Sequence, residues 1–258
     1  MVVARLSPTR LLAAFADGEA QQGTVVVVTV SHHFPDQWSM KLGIKQVVNA
    51  GKTSHLALAA VSESVALVTF FDETTASLQA RVIQVTGDGL NDVTLGAPET
   101  VILGNSTNET ANFSTTEEAK RFREDGGYFG GFQHGVLVAF GAQGEAGEVV
   151  LLTIDGVNAT RAAATPLRSQ ADHVSLVTLG SSALCVFRDP DGLAVVQEVE
   201  VFENYNGEDH AIRLGSSAVV SEGVESLVAV GLNGTGVLAA FRDNTGRGVT
   251  MLIGTSFT

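Results

Sequence analysis

The chain has 258 residues, of which 45% are hydrophobic and 17% charged, so it has ample material for a core and too few charges for a disordered chain. The 28 acidic against 15 basic side chains give a formal charge of −13, which excludes a surface suited to a nucleic-acid backbone. No run of 18 apolar residues occurs, so we expect no transmembrane helix.

One apolar phrase recurs five times and closes on an aspartate in four of its copies. The copies span residues 11–17, 66–72, 136–142, 183–189 and 237–243. A segment that recurs at intervals of this length predicts one small β-unit per copy. The apolar stretch 11–16 imitates a signal peptide, but it belongs to the first copy, so we predict that no signal peptide is present.

Each copy divides into up to four strand-length segments, which we call A to D in chain order. Strand A is rich in Ala, Ser and Gly, which suits an innermost strand, and strand B is the recurring phrase. Strand C is nearly continuously apolar and therefore buried on both faces, whereas strand D is polar and suits an outer edge. The clearest A segments are 55–60, 128–132, 173–179 and 225–230; the C segments are 23–30, 78–85, 147–154, 193–201 and 249–253; and the D segments are 44–48, 99–103 and 217–220.

Four antiparallel strands per copy, small inside and polar outside, resemble the blade of a repeat β-propeller. No specific family is assigned, because the Trp-Asp dipeptide and the glycine signature of kelch repeats are both missing. The resemblance implies an all-β, single-domain propeller of about five four-stranded blades; the alternative is a β-trefoil or another β-repeat fold. The predicted blades are approximately 1–52, 53–124, 125–171, 172–223 and 224–258.

The last blade lacks a D strand, so we expect either that the chain is part of a larger protein or that a partner strand pairs near 251–253. An insertion at 104–125 precedes the third strand A. Within it, Ser114 and Glu117 have the spacing of a capping box, which predicts a short helix.

Because strands alternate in direction, loops B-to-C and D-to-A should share one face of the propeller. This face should carry the aspartates at the end of strand B and the residues at the start of strand A. These residues are our ligand or interaction candidates: Asp17, Asp72, Asp189, Asp243, His55, His173 and Glu225. Carboxylates beside imidazoles suit a sugar or a divalent cation, and calcium is the cation considered, although the loop at 189–192 is too short for a calcium loop. Aspartate before Gly, Asn or Thr also forms tight turns, and this is the interpretation we favour. We therefore predict no cofactor and no metal site.

The loop at 31–40, on the opposite face, carries the only tryptophan, Trp38, together with Phe34. Exposed aromatic residues in a loop are typical of a contact surface, and the alternative is that both rings pack against the blades. The adjacent His32 and His33 would point apart on an extended chain, which disfavours a two-histidine metal site.

Asn-x-Ser/Thr sequons exceed the number expected by chance, which favours glycosylation and an extracellular or organelle-lumen location. The candidate glycosylation residues are Asn105, Asn108, Asn112, Asn158 and Asn233. The single cysteine, Cys185, lies in an apolar strand pattern and is expected to be buried.

The sequence lacks a nucleophile elbow, a phosphate loop and a zinc-protease helix, so we predict that the protein is not an enzyme. The predicted function is a non-catalytic binding or scaffold propeller that acts as a protein-interaction or assembly subunit within a larger complex. One alternative is a lectin-like propeller that binds carbohydrate. The other is a hydrolase or isomerase that uses Asp72, Asp189, His55 and His173.

Overall fold

The computed structural model describes residues 1–33, 37–86, 92–103, 113–117, 134–142, 145–179, 182–203, 210–232 and 236–254. Every regular element within these ranges is a β-strand. The chain forms two compact units, one composed mainly of the first 107 residues and the other mainly of residues 161–258.

The N-terminal unit contains nine antiparallel strands, of which seven pair in the order β1-β2-β3-β5-β6-β7-β8, while β4 pairs with β3 and β9 with β7 off this path. They are β1 (Val2–Ser7), β2 (Arg10–Asp17), β3 (Gln22–His33), β4 (Gln37–Leu42), β5 (Gln46–Ala60), β6 (Val65–Asp72), β7 (Ser77–Val85), β8 (Val93–Leu95) and β9 (Glu99–Leu103). Residues 46–52 of β5 pair with β3, and residues 53–60 pair with β6. We call β1–β4 with 46–52 sheet 1, and 53–60 with β6–β9 sheet 2.

The shared strand β5 corrects the prediction of separate D and A strands at 44–48 and 55–60. The junction stays extended because Gly51 lets the turn after β6 approach closely. A Cβ on Gly51 would lie 2.5 Å from Thr74 Oγ1 and 2.8 Å from Asp72 Oδ1. The backbone therefore crosses from one sheet into the next at a position where a side chain would not fit.

The remaining strands form three antiparallel sheets. Sheet 3 contains β10 (Phe113–Glu117), β11 (His134–Ala142), β12 (Glu145–Asp155) and β13 (Asn158–Gln170). Sheet 4 contains β14 (Asp172–Leu179), β15 (Ser182–Arg188), β16 (Ala194–Glu203) and β17 (His210–Ser221). Sheet 5 contains the three described strands β18 (Val224–Leu232), β19 (Gly236–Asp243) and β20 (Gly248–Gly254).

The cores lie between consecutive sheets, because alternate residues of each strand point to opposite faces. In the N-terminal unit, Leu12 and Val25 of sheet 1 pack with Phe70 and Ile83 of sheet 2. In the C-terminal unit, one face of sheet 4 packs against residues of sheet 3 and the other against sheet 5. This is the burial on both faces that the apolar B and C strands predict.

The insertion differs from its prediction, since residues 113–117 form strand β10 rather than the start of a helix. Ser and Thr are weak helix formers, and β11 offers a strand partner, so pairing outweighs the capping-box spacing. The predicted third strand A at 128–132 lies outside the described residues. The repeated antiparallel sheets confirm the predicted all-β class and the β-propeller class, while the number of blades stays a prediction.

Candidate functional site

The aspartate that closes β6 holds the turn that follows it. Asp72 Oδ1 accepts a hydrogen bond from Thr74 N at 2.9 Å, and Asp72 Oδ2 accepts one from Thr75 Oγ1 at 3.0 Å. The side chain is buried. Burial raises the pKa of Asp72, but the hydrogen bonds from Thr74 and Thr75 outweigh it and leave the pKa below its ordinary value. The carboxylate is therefore ionised and engaged within its own turn.

The equivalent aspartates of sheets 4 and 5 repeat this arrangement. Asp189 Oδ1 accepts from the backbone amides two and four residues further along, at 3.0 and 2.9 Å. Asp243 Oδ1 does the same at 2.9 Å for both amides. Asp17 instead forms an exposed ion pair with Lys45 at 2.8 Å. Within the described ranges no three His, Cys, Asp or Glu side chains are grouped to hold a metal ion.

The two candidate histidines occupy the same position of their sheets, at a β-bulge near the start of strand A. His55 and His173 have φ angles of 49° and 46°, in the left-handed region that bulges commonly fill with glycine. In sheet 5 the register shift falls between Val224 and Ser226, so Glu225 lies at a bulge as the two histidines do. Burial lowers the pKa of His55, and the Glu73 carboxylate opposes this shift.

Glu225 forms an ion pair with an arginine of the neighbouring strand. Its Oε2 lies 3.1 Å from Arg242 Nε, and Asp172 Oδ2 lies 3.4 Å from Arg188 Nη1 in sheet 4. Arg188 Nη1 also donates to the Glu225 carbonyl at 3.0 Å, which connects sheet 4 to sheet 5. These candidates thus stabilise the junction between neighbouring sheets.

Trp38 lies on a strand, not in a loop, because residues up to 33 and from 37 onward form the hairpin strands β3 and β4. The two residues of each of three cross-strand pairs face each other in this hairpin: His32–Trp38, Val30–Met40 and Val28–Leu42. Trp38, Met40 and Leu42 are 70%, 73% and 70% exposed. We call the face that carries these six residues the apolar ribbon. Phe34, the other aromatic candidate, lies outside the described residues.

The His32 and Trp38 rings stabilise the outer end of the ribbon. Their centroids are 4.5 Å apart and their planes are tilted by 46°. Trp38 is exposed, so the interpretation that it packs against the blades does not hold, and its role in a contact surface stays a prediction.

A polar groove of about 580 Å³ lies on the outer strands of the C-terminal unit, and none of its residues was among our candidates. It is lined by Arg168, Glu198, Glu200, Arg213, Gly215, Ser216 and Ser217. Arg168 reaches in from β13, while the others lie on β16 and β17. The Arg168 guanidinium donates hydrogen bonds to Ser217 Oγ and to the Gly215 carbonyl, each at 3.1 Å.

A bulge in β17 gives the groove its depth. Gln197 pairs with Ser217 and Val199 with Leu214, so two residues, Gly215 and Ser216, oppose the single Glu198. A Cβ on Gly215 would lie 2.5 Å from Glu198 Oε2, and glycine therefore leaves room for that carboxylate. The buried Gln197 amide donates to the Gly215 and Ser216 carbonyls at 2.9 and 3.2 Å, which fixes the bulge.

Two guanidinium groups and two carboxylates balance the charge of the groove. Arg213 Nε donates to Glu200 Oε2 at 2.9 Å, and the Arg213 guanidinium lies 4.6 Å from the centroid of the Phe202 ring. Glu198 has no side-chain hydrogen-bond partner among the described residues. The groove thus offers paired donors, a carboxylate acceptor and an aromatic rim.

Of the sequon residues, the structure describes Asn158 alone, and its side chain is exposed at the start of β13. Asn105, Asn108, Asn112 and Asn233 lie outside the described residues. Glycosylation and location stay predictions. No helix in the described part of the chain is long and apolar enough to cross a membrane.

No family model matches the chain, and no curated protein matches it. Among solved structures, it is similar to the Aleuria aurantia lectin, a fungal six-bladed β-propeller that recognises fucose. The identity is 13% and the TM-score 0.45, over 95% of this chain and 75% of the lectin. It is also similar to a mutant Trypanosoma rangeli sialidase with trans-sialidase activity, at 8% identity and a TM-score of 0.42, over 97% of this chain and 53% of the sialidase.

These comparisons correct one prediction. We expected the protein not to be an enzyme, but a sialidase stands beside a lectin among the similar structures, so that expectation is withdrawn. At this level of identity the ligand and the reaction of each neighbour remain properties of that neighbour.

Proposed function

We propose that the protein binds a protein partner through the apolar ribbon. The observation that carries this proposal is the exposure of Trp38, Met40 and Leu42, at alternate positions of one strand. Full burial of a large apolar side chain contributes roughly 1.5–3 kcal/mol, so three such residues offset a substantial part of the entropy cost of association. Trp and Met are also enriched at the cores of protein interfaces.

The hairpin geometry supports the same proposal. Strand β4 pairs with β3 alone among the described strands, so it is an edge strand of the kind beside which a partner's strand can add. Lys41 projects from the opposite face of β4 and is exposed, which gives the ribbon one apolar and one polar side. A partner with an apolar cleft and an accessible strand edge would fit both features.

The natural protein should be purified under mild conditions and its stoichiometry with any bound protein determined. Trp38 is the only tryptophan, so its fluorescence reports on the ribbon alone. We expect acrylamide quenching of Trp38 to decrease severalfold in the complex. Met40→Asp keeps the reporter and should abolish formation of the complex, because a charge cannot be buried there. Lys41→Ala, on the other side of β4, is the matched control. Quenching that is the same in the complex and in the free chain would contradict the proposal.

A second candidate function, carbohydrate binding, is supported by the polar groove. Its two arginines and two glutamates cancel in charge, which suits a neutral polyhydroxyl ligand better than an anion or a cation. Paired guanidinium donors and a carboxylate acceptor can bind neighbouring hydroxyl groups of one sugar ring. The proposal depends on these residues and takes nothing from the ligand of the fungal lectin.

A glycan array followed by calorimetry tests this candidate. Glu198→Gln should weaken binding of any sugar found by tenfold or more, about 1.4 kcal/mol, because the acceptor loses its charge. Glu222→Gln changes an exposed carboxylate outside the groove and should leave binding unchanged. Equal losses in both variants, or a sugar whose affinity neither variant alters, would place the site elsewhere.

A further inference from the structure

Sheet 5 has one buried face and one apolar face open to solvent. Ala229, Ala239 and Phe241 pack with residues of sheet 4. On the other side of the sheet, Val230 and Leu252 are 52% and 68% exposed. We call the face that carries Val228, Val230, Leu238, Ala240 and Leu252 the outer face of sheet 5. A contiguous exposed apolar surface of this kind marks an association site.

The register shows which kind of surface covers such a face. Val230 pairs with Leu238 in sheet 5, as Val177 pairs with Leu184 in sheet 4. The two leucines are equivalent, because each lies three residues before the phenylalanine of the recurring phrase, Phe241 or Phe187. In sheet 4, Val177 and Leu184 are buried in the cluster shared with sheet 5. The outer face of sheet 5 is thus the surface that, one repeat earlier, is covered by the next β-sheet.

The chain also carries the other half of this interface. Val3 pairs with Ala13 in sheet 1, which matches the pair Ala229–Ala239 of sheet 5. Ala229 is buried against sheet 4, whereas Val3 is 52% exposed. Strand β1 therefore presents, open to solvent, the position that in sheet 5 packs against the preceding sheet.

We propose that the outer face of sheet 5 binds sheet 1 of a second copy of this chain. The contact is head-to-tail, because it joins two different surfaces, and it continues the established packing of sheet 4 on sheet 5. Each added copy leaves one face free, so association proceeds beyond a dimer unless a ring closes. The apolar ribbon lies on the same face of sheet 1 as Val3, because Val3 pairs with Ala13, Ala13 pairs with Val26, and Val28 of the ribbon follows Val26 by two residues. The Val3→Lys and Val230→Lys variants leave the ribbon residues unchanged, so they test self-association separately from the ribbon.

Charge opposes this association. Each copy carries a formal charge of −13, while the outer face of sheet 5 is apolar and Arg5 accompanies Val3 on the face of sheet 1. Salt shortens the Debye length from about 30 Å at 0.01 M to about 10 Å at 0.1 M, so added salt should strengthen self-association. An interface built on ion pairs would weaken instead.

Sedimentation velocity of the full chain, across concentration and salt, is the first measurement. We expect the average molecular mass to rise with protein concentration and with salt concentration. Val230→Lys or Val3→Lys should weaken association at least tenfold, since each would place a charge in the buried contact. Val219→Lys, at an equally exposed valine on β17, is the matched control. Circular dichroism should be unchanged in all three variants, because the three side chains are exposed.

A mixing experiment separates head-to-tail contact from other modes. Val3→Lys and Val230→Lys copies should each be monomeric alone, and an equimolar mixture should form dimers and nothing larger, because one interface is intact. A wild-type chain that stays monomeric at high concentration and high salt overturns the proposal. So does an oligomer that resists both lysine substitutions, or a mixture that fails to restore the dimer.

Discussion

Removal of the Asp72 carboxylate distinguishes a turn-forming aspartate from a ligand-binding one. In Asp72→Ala, the Thr74 amide and the Thr75 hydroxyl lose their acceptor. A hydrogen bond to a charged group contributes about 1.5–3 kcal/mol, but both threonines are exposed and can bind water instead. We therefore expect a total loss of about 2 kcal/mol of unfolding free energy at pH 7. Asp72→Asn keeps an oxygen acceptor and should lose about half as much.

The pH dependence follows from the sign of the pKa shift. The pKa of Asp72 is lower in the folded protein than in the unfolded chain, where an aspartate titrates near 3.9. Its stabilising contribution is therefore complete above that value and is lost as the pH falls through the lower, folded pKa. The stability difference between wild type and Asp72→Asn should shrink below about pH 4.

Urea denaturation at several pH values provides the assay, and Asp17→Ala is the matched control. Asp17 occupies the same turn position, but its carboxylate forms an exposed ion pair with Lys45, so its removal should cost less than about 1 kcal/mol. The reasoning is refuted if Asp72→Ala unfolds at the wild-type urea concentration, or if both alanine variants lose the same free energy at pH 7.

Two further predictions concern the core of sheet 4. Burial raises the pKa of the Cys185 thiol to about 12, so a maleimide should modify it only in urea, and rapid labelling of the native protein would contradict the assigned burial. Phe187→Ala, at a fully buried position between sheets 3 and 4, should cost about 3–5 kcal/mol in urea denaturation. Phe202→Ala, at a partly exposed ring, should cost much less, and similar losses in the two variants would contradict this packing.

The polar groove could have been partly predicted from strand C of the fourth copy. Glu198 and Glu200 alternate with Val199 and Val201, a period-two pattern that places both carboxylates on one face of β16. We interpreted this strand as apolar throughout and passed over the alternation. The arginines could not have been added, because Arg168 and Arg213 come from other strands and the bulge at Gly215 sets their register against Glu198.

The sequence by itself determined the repeat and the strand class, because hydrophobic alternation and spacing are properties of neighbouring residues. It also predicted the turn aspartates, whose partners lie two to four residues away. The tertiary structure decided what depends on distant partners: the single strand β5, the strand at 113–117, the exposure of the ribbon and the groove between β13, β16 and β17. These features depend on pairing and packing between residues far apart in the chain, which no local pattern encodes.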